Sequence, residues 1–483
     1  MSDTIAPTPQ GYRIPEEPKD LQTGHLGRTQ LISLSLASFV PAVGMALVPM
    51  LMFSAAGVQA WPSALLSMFA VICVGVAVIS FARRFVASGS LYSYIGEAFG
   101  PWARYLTAAG LFTGFVVQVA AIAGIIGIFT GSFLTSLGID NALELGPQSI
   151  IYVGAIGIGA FVAIRGLDTS VRVAVALAFV SIPLMVLITI ASGVHTGLDL
   201  SEQLDFSSFS LNGTLQGVAG GAAFLVGFES CTSLAAETRD PKRNVPLAVM
   251  SVPVLLGVVY LGCTIIQTPG LAAASDALSD GVSPPAALAV EAGLPSAVAT
   301  ATDLVLAIAT FASMIGFLNY GARFAMTLGL DGLLPARSSA IHSRYHSPYI
   351  AIGILSVAGF LLMSSLVLVS GTVTTAYNAI ATLCVYAWIP PYLLIAAGAI
   401  ALSLKQGRFS LKIAGAAVLG GVAMGWVYIN GIINPPPAPL DAMSWVVVVV
   451  IVLMLAIFGL TSRAGRSRLL TDQTTGGSDD TDL

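Results

Sequence analysis

Residues 217–235, GVAGGAAFLVGFESCTSLA, decide the fold, because four glycines and one carboxylate, that of Glu229, interrupt a mainly apolar run. Arg239 follows Glu229 by ten residues, about 15 Å of helix, so Glu229 is predicted near the middle of a bilayer whose hydrocarbon core is about 30 Å thick. Helix-breaking residues at that depth indicate a segment that faces a protein-lined cavity. Gly217 and Gly221 also fit close packing between helices.

The carboxylate of Glu229 is costly in hydrocarbon unless it is neutralised. We expect it to be protonated for part of a cycle or matched by a cation, and the alternative is a protonated carboxyl group that bonds to a neighbouring helix.

A second candidate break lies in the first apolar run, where Pro41 and Gly44 stand at a similar depth. The two breaks are five spans apart, so their spans run in opposite directions, as in the inverted repeats of secondary transporters. We expect half-helices to begin after Gly44 and after Glu229. Free N–H groups at such ends suit a carboxylate, and free carbonyls suit an ammonium group or a cation.

The composition assigns the whole chain to a membrane. Of its 483 residues, 56% are hydrophobic and 9% charged, and the mean hydropathy is +0.89, whereas a soluble domain has about 25% charged residues. We predict an all-α integral membrane protein with twelve transmembrane helices. The predicted spans are 29–56, 60–82, 101–134, 147–164, 171–194, 211–237, 246–269, 296–322, 348–369, 374–402, 410–432 and 443–461.

The charged residues divide between alternate loops. If the N-terminus is cytoplasmic, all 20 Lys and Arg residues fall on the cytoplasmic side, and the opposite loops carry only acidic residues. By the positive-inside rule, we predict a multi-pass plasma-membrane protein with a disordered cytoplasmic tail at 1–28 and a second cytoplasmic tail at 463–483. No cluster of basic residues of the kind that binds nucleic acid is present.

Other functional classes find little support. The four cysteines lie singly in apolar runs, and His342 and His346 have no Glu or Cys beside them, so we predict no metal site and no cofactor. An intramembrane enzyme would need a nucleophile with a base or a metal pair at depth, and a channel would need repeated rings of pore residues.

The candidate binding residues surround the two breaks. They are Pro41, Ala42, Val43, Gly44, Met45, Gly227, Phe228, Glu229 and Ser230. Aromatic pocket walls are predicted at Phe115, Phe317 and Tyr377, and coupling groups at Glu229 and Ser313, although each of these side chains also fits plain helix packing. No Lys or Arg is expected at mid-depth, which favours a zwitterion or a cation over a dicarboxylate.

Three stretches on the predicted cytoplasmic side carry a resemblance. Residues 88–101 contain SGSLYSY and FGP, residues 227–246 read GFESCTSLAAETRDPKRNVP, and residues 331–335 read DGLLP. In this order they resemble the entry to helix 3, the break of helix 6 with its following loop, and the segment after helix 8 in the amino acid–polyamine–organocation superfamily of permeases.

The resemblance implies a broken-helix fold with five-plus-five inverted repeats, here residues 29–402, and two additional helices at 403–462. It also implies secondary transport of an amino acid or related amine by alternating access, proton-coupled or exchanging; the alternative is a permease for polyamines or other organic cations. The family's G-S-G break aligns with residues 42–44, and a helix 6 glutamate linked to proton coupling aligns with Glu229. Ser181 stands where some proton-coupled members carry a lysine, and Ala312-Ser313 stands where sodium-coupled members carry two hydroxyls. Neither coupling signature is intact, so the resemblance leaves both protons and sodium as candidate coupling ions.

Overall fold

The computed structural model describes residues 24–86, 89–405, 407 and 409–475, of which residue 208 and residues 463–475 are described by backbone alone. Within this part of the chain, twelve helical spans are long and apolar enough to cross a bilayer, which confirms the predicted number. In chain order they are Arg28–Gln59, Trp61–Ala82, Pro101–Ser136, Leu145–Ile164, Leu167–Thr196, Leu211–Glu237, Pro241–Ala273, Ser296–Leu330, Tyr349–Ser370, Val373–Lys405, Leu411–Ile433 and Leu440–Ser462.

Span 1 is interrupted, but one turn before the predicted position. Its first half-helix is Arg28–Ser38 and its second is Pro41–Ala56. Val40 between them has a φ of 39°, in the left-handed region that β-branched residues rarely adopt. The expectation that a half-helix begins after Gly44 is therefore wrong. Pro41 starts it instead, because proline at the first helical position lacks only an N–H that would have no partner anyway.

Span 6 is interrupted at Gly227, as the sequence predicts. The helix Leu211–Gly221 passes into a short 3₁₀ turn, Ala222–Phe224, and a second 3₁₀ helix begins at Phe228 and runs to Glu237. Gly227 has a φ of 78°, a conformation that glycine adopts without strain. The second half-helix thus starts at Phe228, so the expectation that it begins after Glu229 is wrong by two residues.

The described part of the predicted N-terminal tail is ordered. The amide of Gly24 donates to the carbonyl of Ala236 (3.2 Å), and the amide of Leu26 donates to the carbonyl of Glu237 (2.9 Å). The amide of Arg239 donates in turn to the carbonyl of Leu26 (2.8 Å). These bonds join residues 24–26 of the predicted tail to the end of span 6. Residues 1–23 and 476–483 lie outside the described residues, as do Ser88 of the SGSLYSY motif and Arg408 between spans 10 and 11.

Contacts between the ends of the spans define two faces of the molecule. On one face, which we call the basic face after its Lys and Arg residues, Lys405 donates to the carbonyl of Ala98 (2.8 Å). On the opposite, acidic face, the indole of Trp61 donates to the carbonyl of Gln203 (3.1 Å). Spans 1, 3, 5, 7, 9 and 11 begin at the basic face, and the other spans begin at the acidic face.

Span 3 is the central helix, and it packs against spans 8, 9 and 10. Small residues let span 10 approach it closely: a Cβ added at Gly110 would lie 2.8 Å from the Pro391 ring, and one added at Gly114 would lie 3.0 Å from the Trp388 ring. Spans 11 and 12 pack on the outside, span 11 against spans 2 and 10, and span 12 against spans 3 and 10. This arrangement brings both breaks against the middle of spans 3, 8 and 10.

Candidate functional site

A cavity lies where the two breaks meet spans 3, 8 and 10. Its volume is about 20 Å³, room for about one water molecule, so a larger solute requires the lining to move. The lining residues are Phe39, Val40, Val43, Gln118, Ala121, Ile122, Ile125, Ala223, Phe224, Thr310, Ser313, Tyr377, Ala381 and Cys384.

The peptide groups beside the cavity are those of the two breaks. The carbonyl of Val40 accepts from the amides of Val43 (2.9 Å) and Gly44 (3.2 Å), which closes the first turn of the second half-helix. Helix ends leave N–H groups at the start and carbonyls at the end without partners inside the helix. In span 1, the C-terminus of the first half-helix and the N-terminus of the second therefore both lie at the cavity.

Glu229 lies behind the break and is fully buried, with 0% of its surface exposed. The hydroxyl of Tyr392, on span 10, donates to Glu229 Oε2 (2.8 Å), and the amide of Gly227 donates to the Tyr392 oxygen (2.8 Å). Glu229 Oε1 is buried and has no hydrogen-bond partner among the described protein atoms. One tyrosine hydroxyl thus links the carboxylate to the backbone of the break.

Three of the predicted site residues line the cavity. They are Val43, Ser313 and Tyr377. Gly44 faces span 7, since a Cβ added there would overlap the Tyr260 hydroxyl at 2.1 Å. Pro41, Ala42 and Met45 belong to the same half-helix but not to the cavity lining.

The two predicted phenylalanine walls, Phe115 and Phe317, and the residues around Glu229 form a layer toward the basic face. Phe317 packs edge-on against the cavity residue Phe39, with ring centroids 5.3 Å apart, and Phe115 packs against Trp388 at 5.4 Å. Phe228 packs against Tyr392 at 5.7 Å. These three phenylalanines are absent from the cavity lining, as are Gly227, Glu229 and Ser230. They therefore lie on the side of the cavity toward the basic face and pack against its lining residues.

Sequence reasoning missed most of the cavity wall. Phe39 and Phe224 stand one to three residues before the breaks, and Gln118 and Cys384 face each other from spans 3 and 10. The position of Gln118 could have been predicted, because it is a single amide within a long apolar span. No feature of the sequence indicates that Tyr392 bonds to Glu229.

Span 8 carries two buried charged residues. Arg323 has 1% of its surface exposed and forms an ion pair with Glu237. Asp303 is 2% exposed. Its carboxylate accepts from Ser132 (2.6 Å) and from Ser283.

The described residues contain no group of three or more His, Cys, Asp or Glu side chains that could hold a metal ion. The polar groups at the cavity are an amide, a thiol and the hydroxyls of Thr310, Ser313 and Tyr377. This set can form hydrogen bonds to a small solute, and it offers no nucleophile paired with a base.

Similarity to known proteins agrees with this geometry. The chain is 24% identical over 373 residues to the branched-chain amino acid permease BcaP of Bacillus subtilis (strain 168), covering 72% of this chain and 77% of that protein. It is 24% identical to a methylthioribose transporter of the same organism, covering 59% and 64% of the two chains. It is 28% identical to the vacuolar cationic amino acid transporter 4 of Arabidopsis thaliana, covering 57% of this chain and 48% of that protein.

A solved structure shares the fold. The crystal structure of the Eremococcus coleocola manganese transporter in complex with an aromatic bis-isothiourea substituted compound superposes with a TM-score of 0.53 at 13% identity, covering 90% of this chain and 95% of that one. Residues 26–461 match the family model described as amino acid permease. With twelve spans, two opposed interrupted helices and a match over nearly all the described chain, this protein belongs to the amino acid permease family of membrane transporters.

Proposed function

We propose that this permease moves an amino acid or related amine across the plasma membrane by alternating access, with both termini in the cytoplasm. The observation that carries the proposal is the cavity at the crossing of two interrupted, oppositely directed spans. The basic face would be cytoplasmic, because Lys and Arg are retained on that side during insertion. Residues 29–402 would form the transport core, and residues 403–462 an outer pair of helices.

Closure on both sides of the cavity supports alternating access. Toward the basic face, the Arg323–Glu237 ion pair and the backbone bonds of Gly24–Leu26 hold the end of span 6 against span 8 and the N-terminal segment. Toward the acidic face, Asp303 ties span 8 to Ser132 on span 3 and to Ser283, which begins a helix between spans 7 and 8. A solute passes if these two sets of contacts open in turn.

The hydrogen bonds of Glu229 support proton coupling through this residue. A proton on Oε1, which has no partner, would leave the Tyr392 bond to Oε2 in place but remove the charge that strengthens it. The weaker bond would loosen the Tyr392 hydroxyl from the Gly227 amide as well. Protonation of Glu229 would thereby weaken the hydrogen bond at the Gly227 amide, although Glu229 does not contact the solute.

Transport by purified protein in liposomes tests the proposal. We expect a radiolabelled amino acid to accumulate when an inward proton gradient is imposed, and we expect Glu229→Gln to lose the pH dependence while expression is unchanged. The control is Glu144→Gln, which removes an exposed carboxylate at the acidic face. Uptake by Glu229→Gln that follows pH as the wild type does would refute the coupling role.

Sodium coupling and exchange would each change uptake in a different way. Sodium coupling through Ser313, which lines the cavity, would make uptake fall when choline replaces sodium and would be weakened by Ser313→Ala. Exchange would make uptake depend on unlabelled amino acid inside the liposomes. We expect uptake to respond to the proton gradient and to be insensitive to sodium.

A further inference from the structure

On spans 3 and 10, the cavity residues nearest the basic face are a glutamine and a cysteine, and we call this pair the floor of the cavity. Span 3 runs from the basic to the acidic face, and Gln118 is the first of its cavity residues; span 10 runs the opposite way, and Cys384 is the last of its own. The Cys384 thiol donates to Gln118 Oε1 (2.8 Å). Cys384 is fully buried and Gln118 is 8% exposed, so the pair forms a fixed, uncharged floor.

The other cavity residues of spans 3 and 10 are Ala121, Ile122, Ile125, Ala381 and Tyr377. All of them are apolar except Tyr377. None of the residues that line the cavity is Asp, Glu, Lys, Arg or His. If the peptide ends of the breaks hold the charged groups of an amino acid, its side chain is left to face this wall.

A cationic side chain would find no counter-charge at this floor. An ammonium or guanidinium group that leaves water needs a carboxylate or several acceptors, and the amide oxygen of Gln118 is neutral and already accepts one of its two hydrogen bonds from the thiol. Glu229 is bonded to Tyr392, which stands eight residues beyond Cys384, about 12 Å along span 10. Trp388 stands between these two positions on the same helix.

We propose that Gln118, held by Cys384, sets the specificity of this permease by admitting amino acids with uncharged, apolar side chains and rejecting cationic amino acids and polyamines. The inference rests on the proposed function, since it assumes that the cavity binds the transported solute. Gln118 is the specificity residue because a neutral amide stands where a carboxylate would be needed to pair with a cationic side chain.

Competition in liposomes tests the inference. In the wild type, we expect unlabelled leucine or phenylalanine to reduce uptake of radiolabelled leucine at least tenfold, and lysine, arginine or putrescine at the same concentration to reduce it less than twofold. Gln118→Glu should make lysine an effective competitor and a transported substrate. Gln118→Met, which keeps the length without charge, should keep the wild-type order.

Gln267→Glu is the matched control for Gln118→Glu, because it makes the same replacement of a buried amide by a carboxylate outside the cavity. Gln267 is also fully buried, but it bonds to the Met45 carbonyl (3.0 Å) and to Thr189 (2.8 Å) outside the cavity. The inference is overturned if the wild type takes lysine as well as leucine, or if Gln118→Glu still transports leucine and excludes lysine. An absence of uptake of every amino acid would instead contradict the proposed function.

Protection of the cysteine gives a second test that needs no variant. A small methanethiosulfonate reagent should label Cys384, leucine should slow that labelling at least tenfold, and lysine should leave it unchanged, as followed by peptide mass spectrometry. Cys73, Cys231 and Cys263, which do not line the cavity, serve as internal references. Equal protection by lysine, or no labelling of Cys384 in protein without solute, would contradict the inference.

Discussion

Tyr392→Phe removes one hydroxyl and keeps the ring, so it isolates the link between Glu229 and the break. The hydroxyl takes part in two buried hydrogen bonds, one from the Gly227 amide and one to Glu229 Oε2, both at 2.8 Å. A buried group left without its partner costs about 1–3 kcal/mol. We therefore expect a loss of about 2–6 kcal/mol in the free energy of unfolding, from two such groups.

The assay is unfolding of the purified protein by SDS in mixed detergent micelles, followed by transport in liposomes. Tyr428→Phe is the control, because that hydroxyl donates to the Ser444 carbonyl (2.7 Å) in the outer pair of helices. We expect the control to lose only about 0.5–1.5 kcal/mol, the net value of one ordinary hydrogen bond. It should also transport with the wild-type dependence on pH.

A double-mutant cycle with Glu229→Gln then measures the link itself. A hydroxyl bonded to a charged acceptor is worth about 1.5–3 kcal/mol and one bonded to a neutral acceptor about 0.5–1.5 kcal/mol. The coupling energy should therefore fall as the pH is lowered and Glu229 takes up its proton. Additivity of the two changes within about 0.5 kcal/mol at every pH would refute the idea that Tyr392 carries the charge state of Glu229 to Gly227.

Three further changes probe the break and the two closures. Gly227→Ala places a Cβ on a left-handed residue at a cost of about 1–2 kcal/mol and should reduce the transport rate, whereas Gly415→Ala, with open space around it, should be neutral in both assays. Arg323→Ala leaves Glu237 buried without its partner, so unfolding should be easier by about 3–5 kcal/mol, and removing both side chains should restore part of that loss. Asp303→Asn weakens the hydrogen bonds from Ser132 and Ser283, the second of which caps the helix Pro284–Glu291. A cysteine introduced into this helix should therefore react faster with a thiol reagent than it does when Asp303 is present. An unchanged rate would contradict the proposal that Asp303 closes the acidic face.

The twelve spans were predictable because each depends on the summed hydropathy of about 20 residues, which no single side chain overturns. The break of span 6 was predictable because Gly227 is the residue type that a positive φ favours. The break of span 1 was misplaced by one turn because Val40, a β-branched residue, takes that conformation, and no sequence rule indicates a valine there.

The cavity wall was harder to predict, because it depends on which faces of distant spans meet. Gln118 and Cys384 are 266 residues apart, and only the packing of span 10 on span 3 brings them together. Burial of Asp303 depends in the same way on Ser132 and Ser283, which belong to other elements. The glycine and proline pattern indicated both breaks, the first of them one turn too late, whereas the polarity of the floor is a property of this chain's own packing.

The half-helices pair across the two breaks, and this pairing explains how a change at Glu229 could open one face. Leu26, just before the first half-helix of span 1, is joined by backbone bonds to the end of the half-helix Phe228–Glu237. On the other side of the breaks, a Cβ added at Gly213 would lie 2.8 Å from the Ala55 carbonyl, so the helices Leu211–Gly221 and Pro41–Ala56 are in close contact. These bonds and contacts hold each pair together, and the chain connections between the two pairs run through the unwound residues. A change in charge at Glu229 acts on one pair, and we therefore expect it to move that pair as a unit against the other.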